Sequence, residues 1–354
     1  MSVFFDKRHA GLIPYTPGEQ PRDGGFVKLN TNESPFPPSP FAVRLAREEA
    51  GKLNLYSDPE CRDLTDAAAD AFGIGRDRII FGNGSDEILN FAFIAFCGSD
   101  TPAVFPDITY GFYPVFARLN GVAYTEIPLN GRLEADPRDY IGAHATVFIA
   151  NPNAPTGIAL SAADIESIVR GNPDSVVVID EAYVDFGAES CVPLTEKYEN
   201  LLVVGTFSKS RSLAGGRLGF GIASKELIKD LHTVRYSINP YNVNRMTLAA
   251  GIGALADADY FRYCVSRIKR TRERMKKGLS ERGFTLTDSS ANFLFAKRDG
   301  TDGGELYRKL KQSGVLVRHF EKERIRDYIR ITVGSDEQAD ALFTALDRIA
   351  GGTV

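Results

Sequence analysis

The sequence has no hydrophobic run long enough to cross a membrane. Its apolar stretches are short, such as Val176-Val177-Val178-Ile179, and they end in charge, whereas a span needs about 18 or more apolar residues in a row. Residues 1–15 lack the apolar core of a secretory signal. Charge of one sign is scarce as well: 42 basic against 46 acidic residues leave a formal net charge of −4, a balance that argues against a nucleic-acid binder. Cysteine is limited to Cys61, Cys97, Cys191 and Cys264, far apart and without a C-x-x-C pair. A disulfide framework or zinc site is therefore not expected, and reduced, mostly buried thiols in a cytoplasmic protein are. His9, His144, His232 and His319 are scattered, with no H-E-x-x-H, so no metal is expected.

What is present describes an ordinary globular chain. Hydrophobic residues make up 43% of the 354, too many for disorder at so small a net charge, and the length implies roughly two domains. The first segment is rich in proline and glycine, from Pro14 to Pro40, and reads as an extended arm, since such a run sustains neither a helix nor a central strand. From about Tyr56 to Val234 short apolar runs alternate with amphipathic stretches. Strands are expected at 78–81, 101–105, 123–127, 146–150, 176–179, 201–206 and 218–222, and helices at 86–96, 110–120, 161–170 and 225–234, with Ser161 as an N-cap. This alternation implies an α/β domain with a mostly parallel sheet. Beyond Pro240, Phe261, Cys264, Val265, Ile268, Met275 and Leu279 mark one face of a long helix. The basic residues between them, Arg267 to Lys277, read as its solvated face. Strand, helix, strand, strand and helix signals at 292–297, 306–313, 315–318, 328–332 and 337–349 then describe a smaller α+β domain.

Four clusters fall at the ends of expected strands, where open α/β sheets bind ligands. Gly82-Asn83-Gly84-Ser85-Asp86-Glu87 joins a strand to a helix whose free N–H groups suit an anion; it is not G-x-G-x-x-G, and alone it reads equally as a capped turn. Asn151-Pro152-Asn153-Ala154-Pro155-Thr156-Gly157 is a rigid loop or a plain turn. Asp180 ends an apolar strand, where a carboxylate needs a cationic partner, and Tyr183 lies three residues on. Thr206-Phe207-Ser208-Lys209 precedes Arg217 by eight residues, which suits a nucleophilic lysine beside an anion clamp, although a lone lysine is more often a surface residue.

In this order the clusters resemble the class I and II, fold-type I pyridoxal-phosphate-dependent aminotransferases. The histidinol-phosphate aminotransferases are the nearest group, through Ile13–Gly18, Lys28–Pro35, Tyr56–Pro59, Gly82–Leu89, Asp180–Phe186, Pro240–Arg245 and Arg330–Gly334. The resemblance implies a large domain with a seven-stranded, mostly parallel sheet flanked by helices (residues 51–245). It also implies an arm contributing to a smaller α+β domain (1–50), completed by 246–354. Lys209 matches the lysine that binds cofactor C4′ and shuttles the substrate proton. Asp180 would pair with the pyridine nitrogen, Tyr183 with O3′, and Tyr110 would stack on the ring. Gly84, Ser85, Asp86, Thr206, Ser208 and Arg217 would hold the phosphate, and Tyr56 would reach the cofactor of the other subunit in a homodimer. Arg330 would receive the substrate's anionic group, helped by Arg318 and Tyr15, with Asn32 in the same pocket. Relatives place Asn directly before Pro-Thr-Gly; here Ala154 stands there, and Asn153 is the candidate replacement. The implied reaction is a ping-pong transfer between histidinol phosphate and 2-oxoglutarate, with glutamate as the other amino acid, in histidine biosynthesis. Aromatic amino-acid transamination, decarboxylation of a threonine phosphate, and a regulatory domain on the same fold are the alternatives.

Overall fold

A computed structural model describes residues 2–21 and 24–351. Its seven-stranded sheet runs, in spatial order, Ile79–Asn83, Leu218–Ile222, Leu201–Thr206, Val177–Asp180, Thr146–Ala150, Ala103–Pro106 and Tyr124–Ile127. All neighbours are parallel except Leu218–Ile222, which is antiparallel to both of its partners. The central strands are apolar on both faces because helices cover both sides: every residue of Thr146–Ala150 and Val177–Asp180 is buried. Each buried Val, Leu or Ile there contributes about 1.5–3 kcal/mol, which fixes the register that carries Asp180 and Thr206 to the carboxyl edge of the sheet.

Apart from 315–318, the expected strands are all present, within one to two residues at their ends. Ser161 caps Ala162–Arg170 in a reciprocal pair with Asp164. Three expectations need correction. The arm's proline run does not exclude helix: Ser39 caps Pro40–Ala50, and Pro40 occupies its first turn, where a missing N–H costs nothing. The expected strand 315–318 is two pieces: Val315–Leu316 pairs parallel with Val27–Lys28, while Arg318–His319 joins the second sheet. The basic face of Ala258–Ser280 is not wholly solvated, since Arg272 is buried and donates to the carbonyls of Phe186 and Ala291.

The second sheet is antiparallel, in the order Arg318–His319, Tyr328–Thr332, Phe293–Arg298, Phe284–Leu286. Its inner face packs with Leu29, Leu310, Leu342 and Leu346 into one apolar cluster. Helix Arg245–Ala256 joins a different cluster, with Ala42 of helix Pro40–Ala50 and with Phe81 and Leu218 of the large sheet, although the boundary expected at 245/246 assigns it to the smaller unit. The arm pairs with this smaller unit through Val27–Lys28. No helix among the described residues is long and apolar enough to cross a membrane.

Candidate active site

A cavity of about 400 Å³ opens at the carboxyl edge of the large sheet, between it and the antiparallel sheet. Tyr15, Asn32, Ser85, Asp86, Tyr110, Asp180, Tyr183, Thr206, Ser208, Lys209, Arg217, Arg318 and Arg330 all line it. Among the residues expected from sequence, Gly84, Asn153 and Tyr56 are not part of its lining.

The floor is Asp180. It is buried, and its Oδ1 accepts from the Ala182 N–H (3.2 Å) and its Oδ2 from the Tyr113 hydroxyl (3.2 Å). Burial pushes its carboxyl up to about 7. A carboxylate in such a place, with no cation bonded to it among the described residues, fits a ligand bearing a protonated ring nitrogen. Tyr113 is not among the site residues expected from sequence. It opens the helix Tyr113–Leu119, three residues past Tyr110, which lies in the loop before that helix.

Lys209 projects from the loop after Leu201–Thr206. Burial, and secondarily the positive charge of Arg330, pulls its amine down to about 8. Its Nζ donates to the Thr31 carbonyl at 3.2 Å. Tyr183 lies across from it, with Nζ 5.8 Å from the ring centroid, and the phenol is raised above its ordinary value by burial, against the lowering pull of Arg330.

The anion cradle sits at the start of Ser85–Phe96. Gly84 precedes it at φ 82°, and a Cβ there would run into the Arg217 guanidinium, so only glycine allows that approach. First-turn N–H groups of a helix have no intrahelical partner, and the Thr206 and Ser208 hydroxyls (2.9 Å apart) and Arg217 surround the same point. The Asp86 carboxylate is itself engaged, accepting from Tyr110 (2.6 Å) and Arg217 (3.1 Å). Its part in holding an anion therefore falls to its backbone N–H. The same bond draws the Tyr110 hydroxyl toward Asp86.

The opposite wall comes from the antiparallel sheet. Its register sets Arg318 directly opposite Arg330, a like-charge pair that is destabilising unless an anion lies between them. Arg330 donates from Nη2 to the Asn30 carbonyl (3.1 Å), while its buried Nε has no partner among the described residues. Arg318 donates to the carbonyls of Thr16 (2.9 Å) and Pro17 (3.2 Å) and so ties down the arm that carries Tyr15. Tyr15 stacks on Phe112 at 4.3 Å. Lys322 and Phe320 also border the cavity; they follow Arg318 in a loop that carried no motif.

Asn153 does not replace the missing amide in the cavity. Its side chain donates to the Ile108 carbonyl (2.9 Å) and Thr156 (3.2 Å) and accepts from Thr109 (2.7 Å), so it braces the loop while Ala154 faces the cavity. Asn32 reaches the cavity with its amide engaged, donating to Tyr183 (3.0 Å) and accepting from Thr332 (3.1 Å). Tyr56 is 78% exposed and stacks on Tyr241 (4.4 Å), away from this chain's own cavity. The described residues hold no cluster suited to a metal ion, and the four cysteines are free.

The family model for aminotransferase class I and II matches residues 25–346. A histidinol-phosphate aminotransferase of Brachyspira hyodysenteriae is 46% identical over 342 residues, 96% of this chain and 97% of its own. One of Acinetobacter baumannii is 48% identical over 339 residues, covering 95% of this chain and 94% of the relative. Among solved structures, histidinol-phosphate aminotransferase from Sinorhizobium meliloti in complex with pyridoxal-5′-phosphate has a TM-score of 0.84 at 26% identity, over 92% of this chain and 91% of that one. Aspartate aminotransferase from Thermus thermophilus with maleate shares the fold, with a TM-score of 0.80 at 20% identity over 92% of this chain and 91% of that one.

Proposed function

Since this chain belongs to the class I and II aminotransferase family, and so is a pyridoxal-phosphate-dependent transaminase, we propose that it moves the amino group between histidinol phosphate and 2-oxoglutarate. The observation that carries the substrate reading is the Arg318–Arg330 pair facing Lys209 across the cavity. Two guanidiniums in register suit an anion with several oxygens, the phosphate of one substrate or the carboxylate of the other.

Pyridoxal phosphate, when bound, supplies the electron sink that makes a substrate Cα–H acidic. The chain's residues do the rest. The Ser85 and Asp86 N–H groups, Thr206, Ser208 and Arg217 would hold the cofactor phosphate, Asp180 the ring nitrogen and Tyr183 the ring oxygen. Lys209, its amine drawn down to about 8, is matched to take a proton from substrate Cα near neutral pH. Arg330 orients the substrate, and Tyr15, tied through the arm to Arg318, helps to cover it. Mixing the protein with histidinol phosphate and 2-oxoglutarate should yield glutamate; no glutamate, or a preference for phenylalanine, overturns the substrate reading. Arg330→Ala should lower kcat/KM by about 10²–10³-fold, mainly through KM, as loss of a buried partner to an anion does.

A second copy of the chain completes the site in this reading. Leu53, Leu55, Tyr56 and Tyr241 are each exposed by 42% or more, and the stacked Tyr56–Tyr241 pair makes an aromatic knob of the kind found at interfaces. Mixing Lys209→Ala and Tyr56→Ala variants under conditions that exchange subunits should restore activity to about a quarter of wild type, because half of the dimers would carry one intact site. No restoration would place Tyr56 outside the partner's site. The free thiols support a reducing compartment, the cytoplasm.

A further inference from the structure

Three consecutive residues of the arm touch three different active-site side chains. The Asn30 carbonyl accepts from Arg330 (3.1 Å), the Thr31 carbonyl from Lys209 (3.2 Å), and the Asn32 amide donates to the Tyr183 hydroxyl (3.0 Å). Asn32 is held more firmly than a substrate-contacting side chain needs. It is 1% exposed, its backbone is left-handed at φ 57°, and its carbonyl accepts from Asn292 (3.0 Å).

With Oδ1 of its amide turned toward Thr332, the hydrogen bonds around it define one arrangement of protons. The Asn32 backbone N–H donates to Thr332 Oγ1 at 2.9 Å. That hydroxyl is left to give its own proton to Asn32 Oδ1, 3.1 Å away. The Oδ1 edge of the amide is thereby fixed toward Thr332, and Nδ2, which can only donate, faces Tyr183. The phenolic oxygen must then accept, and its own proton must point elsewhere. Among the described residues that proton has no acceptor; the ring itself packs edge-on to Phe293. The direction left to it is the cavity.

We propose that Asn32, backed by Thr332, is a positioning residue that makes Tyr183 an obligate donor into the active site. The proposal rests on the reading that Tyr183 faces the ring oxygen of bound pyridoxal phosphate. An N–H donated to a phenolic oxygen also strengthens that phenol as a donor. Thr332 lies two residues beyond Arg330 on the same strand, so one segment of sheet sets both the substrate's anion seat and the direction of the phenol proton. The charged groups that bear on Tyr183 are Arg330, Asp180 and Asp86, and Lys209 borders its ring; the variants below leave all four in place.

The readout is the pH at which the visible absorbance of the cofactor-loaded protein changes, with KM and kcat measured separately. Donation to the ring oxygen stabilises its negative charge and weakens its hold on the neighbouring proton. Losing that donation must move the transition to higher pH. Asn32→Asp keeps the size but offers Tyr183 an acceptor, turning the phenol proton away from the cavity. Asn32→Gly removes the amide and keeps the left-handed backbone without strain, so it tests the same point without a new charge and serves if the aspartate variant fails to fold. Both should raise the transition, by about one pH unit, the size of one charge-assisted hydrogen bond. Thr332→Val, which frees the amide to turn, should shift it part of the way. KM for glutamate should stay within about twofold while kcat falls, since Arg330 is untouched. Tyr183→Phe should give the same upward shift, and adding Asn32→Gly to it should change nothing further. Shifts that add in the double variant, or a transition that stays at the wild-type pH in both Asn32 variants while Tyr183→Phe moves it, overturn the proposal. A Tyr183→Phe variant without a shift sinks the reading of Tyr183 itself, and a wild-type protein without a visible band sinks the cofactor reading.

Discussion

Replacing Lys209 with alanine is expected to remove the visible absorbance of the cofactor-loaded protein and to lower turnover by about 10⁴-fold, the upper range for loss of a positioned acid–base group. No other lysine can stand in. Lys322, which also borders the cavity, has its Nζ bound to the Asp107 carbonyl on the far wall. The wild-type lysine has its own pH signature. Its amine is drawn down to about 8 from an ordinary 10.5, first by burial and then by Arg330. A depressed lysine is neutral above its folded pKa, so the rate at which apoprotein takes up pyridoxal phosphate should climb with pH and level off near 8 rather than above 10. Arg330→Ala removes the largest of the charge causes, leaving burial and Arg217, and should move that plateau upward. Stopped-flow absorbance across pH measures both. A plateau unchanged in the arginine variant would mean that Arg330 has no part in lowering the amine.

The site was legible where its chemistry is carried by residues at the ends of buried strands. Asp180 stands out because an ionisable group at the end of an all-apolar run is costly without a purpose, Lys209 because it sits among small hydroxyls eight residues before Arg217, and the parallel strands then bring the two to one edge. Arg330 was legible only through family resemblance. Its partnership with Arg318 is a matter of antiparallel register, set by a turn region whose strand pieces, two residues each, carry no periodicity. The arm shows the other limit. Its prolines pointed correctly to a path without helix or strand over 12–21, but a proline in the first helical turn is compatible with a helix, and Pro40 begins one. Asn153 and Asn32 were each ambiguous because an amide is both donor and acceptor, and only the surrounding partners decide its use. Asn153 is consumed by the Ile108–Thr109 turn, and Asn32 by Thr332 and Tyr183. Neither partner set is near in sequence.

Asp180→Asn should cost as much as any substitution outside Lys209, and it has opposite consequences with and without cofactor. With the cofactor bound, the variant loses the carboxylate that holds a protonated ring nitrogen. Breaking such a buried pair costs about 3–5 kcal/mol, so kcat should fall by about 10²–10³-fold with glutamate KM little changed. Without cofactor the sign reverses. Burial holds the Asp180 carboxyl at about 7, above its ordinary 3.8, so between those values the folded protein binds the proton more tightly than the unfolded chain does. Asp180's contribution to the stability of the apoprotein must therefore fall as pH rises from about 4 through 7. Asparagine has the same shape and no charge to desolvate: its oxygen can keep the Ala182 N–H while its NH2 donates to the Tyr113 oxygen. The apo variant should be more stable than apo wild type at pH 8, with the difference closing as the pH is lowered toward 4. Thermal melts of apo and loaded forms at the two pH values would show both effects. An apo Asp180→Asn protein less stable than wild type at pH 8 would mean that Tyr113 and the Ala182 N–H already satisfy the carboxylate, and that the site has no built-in demand for a cation.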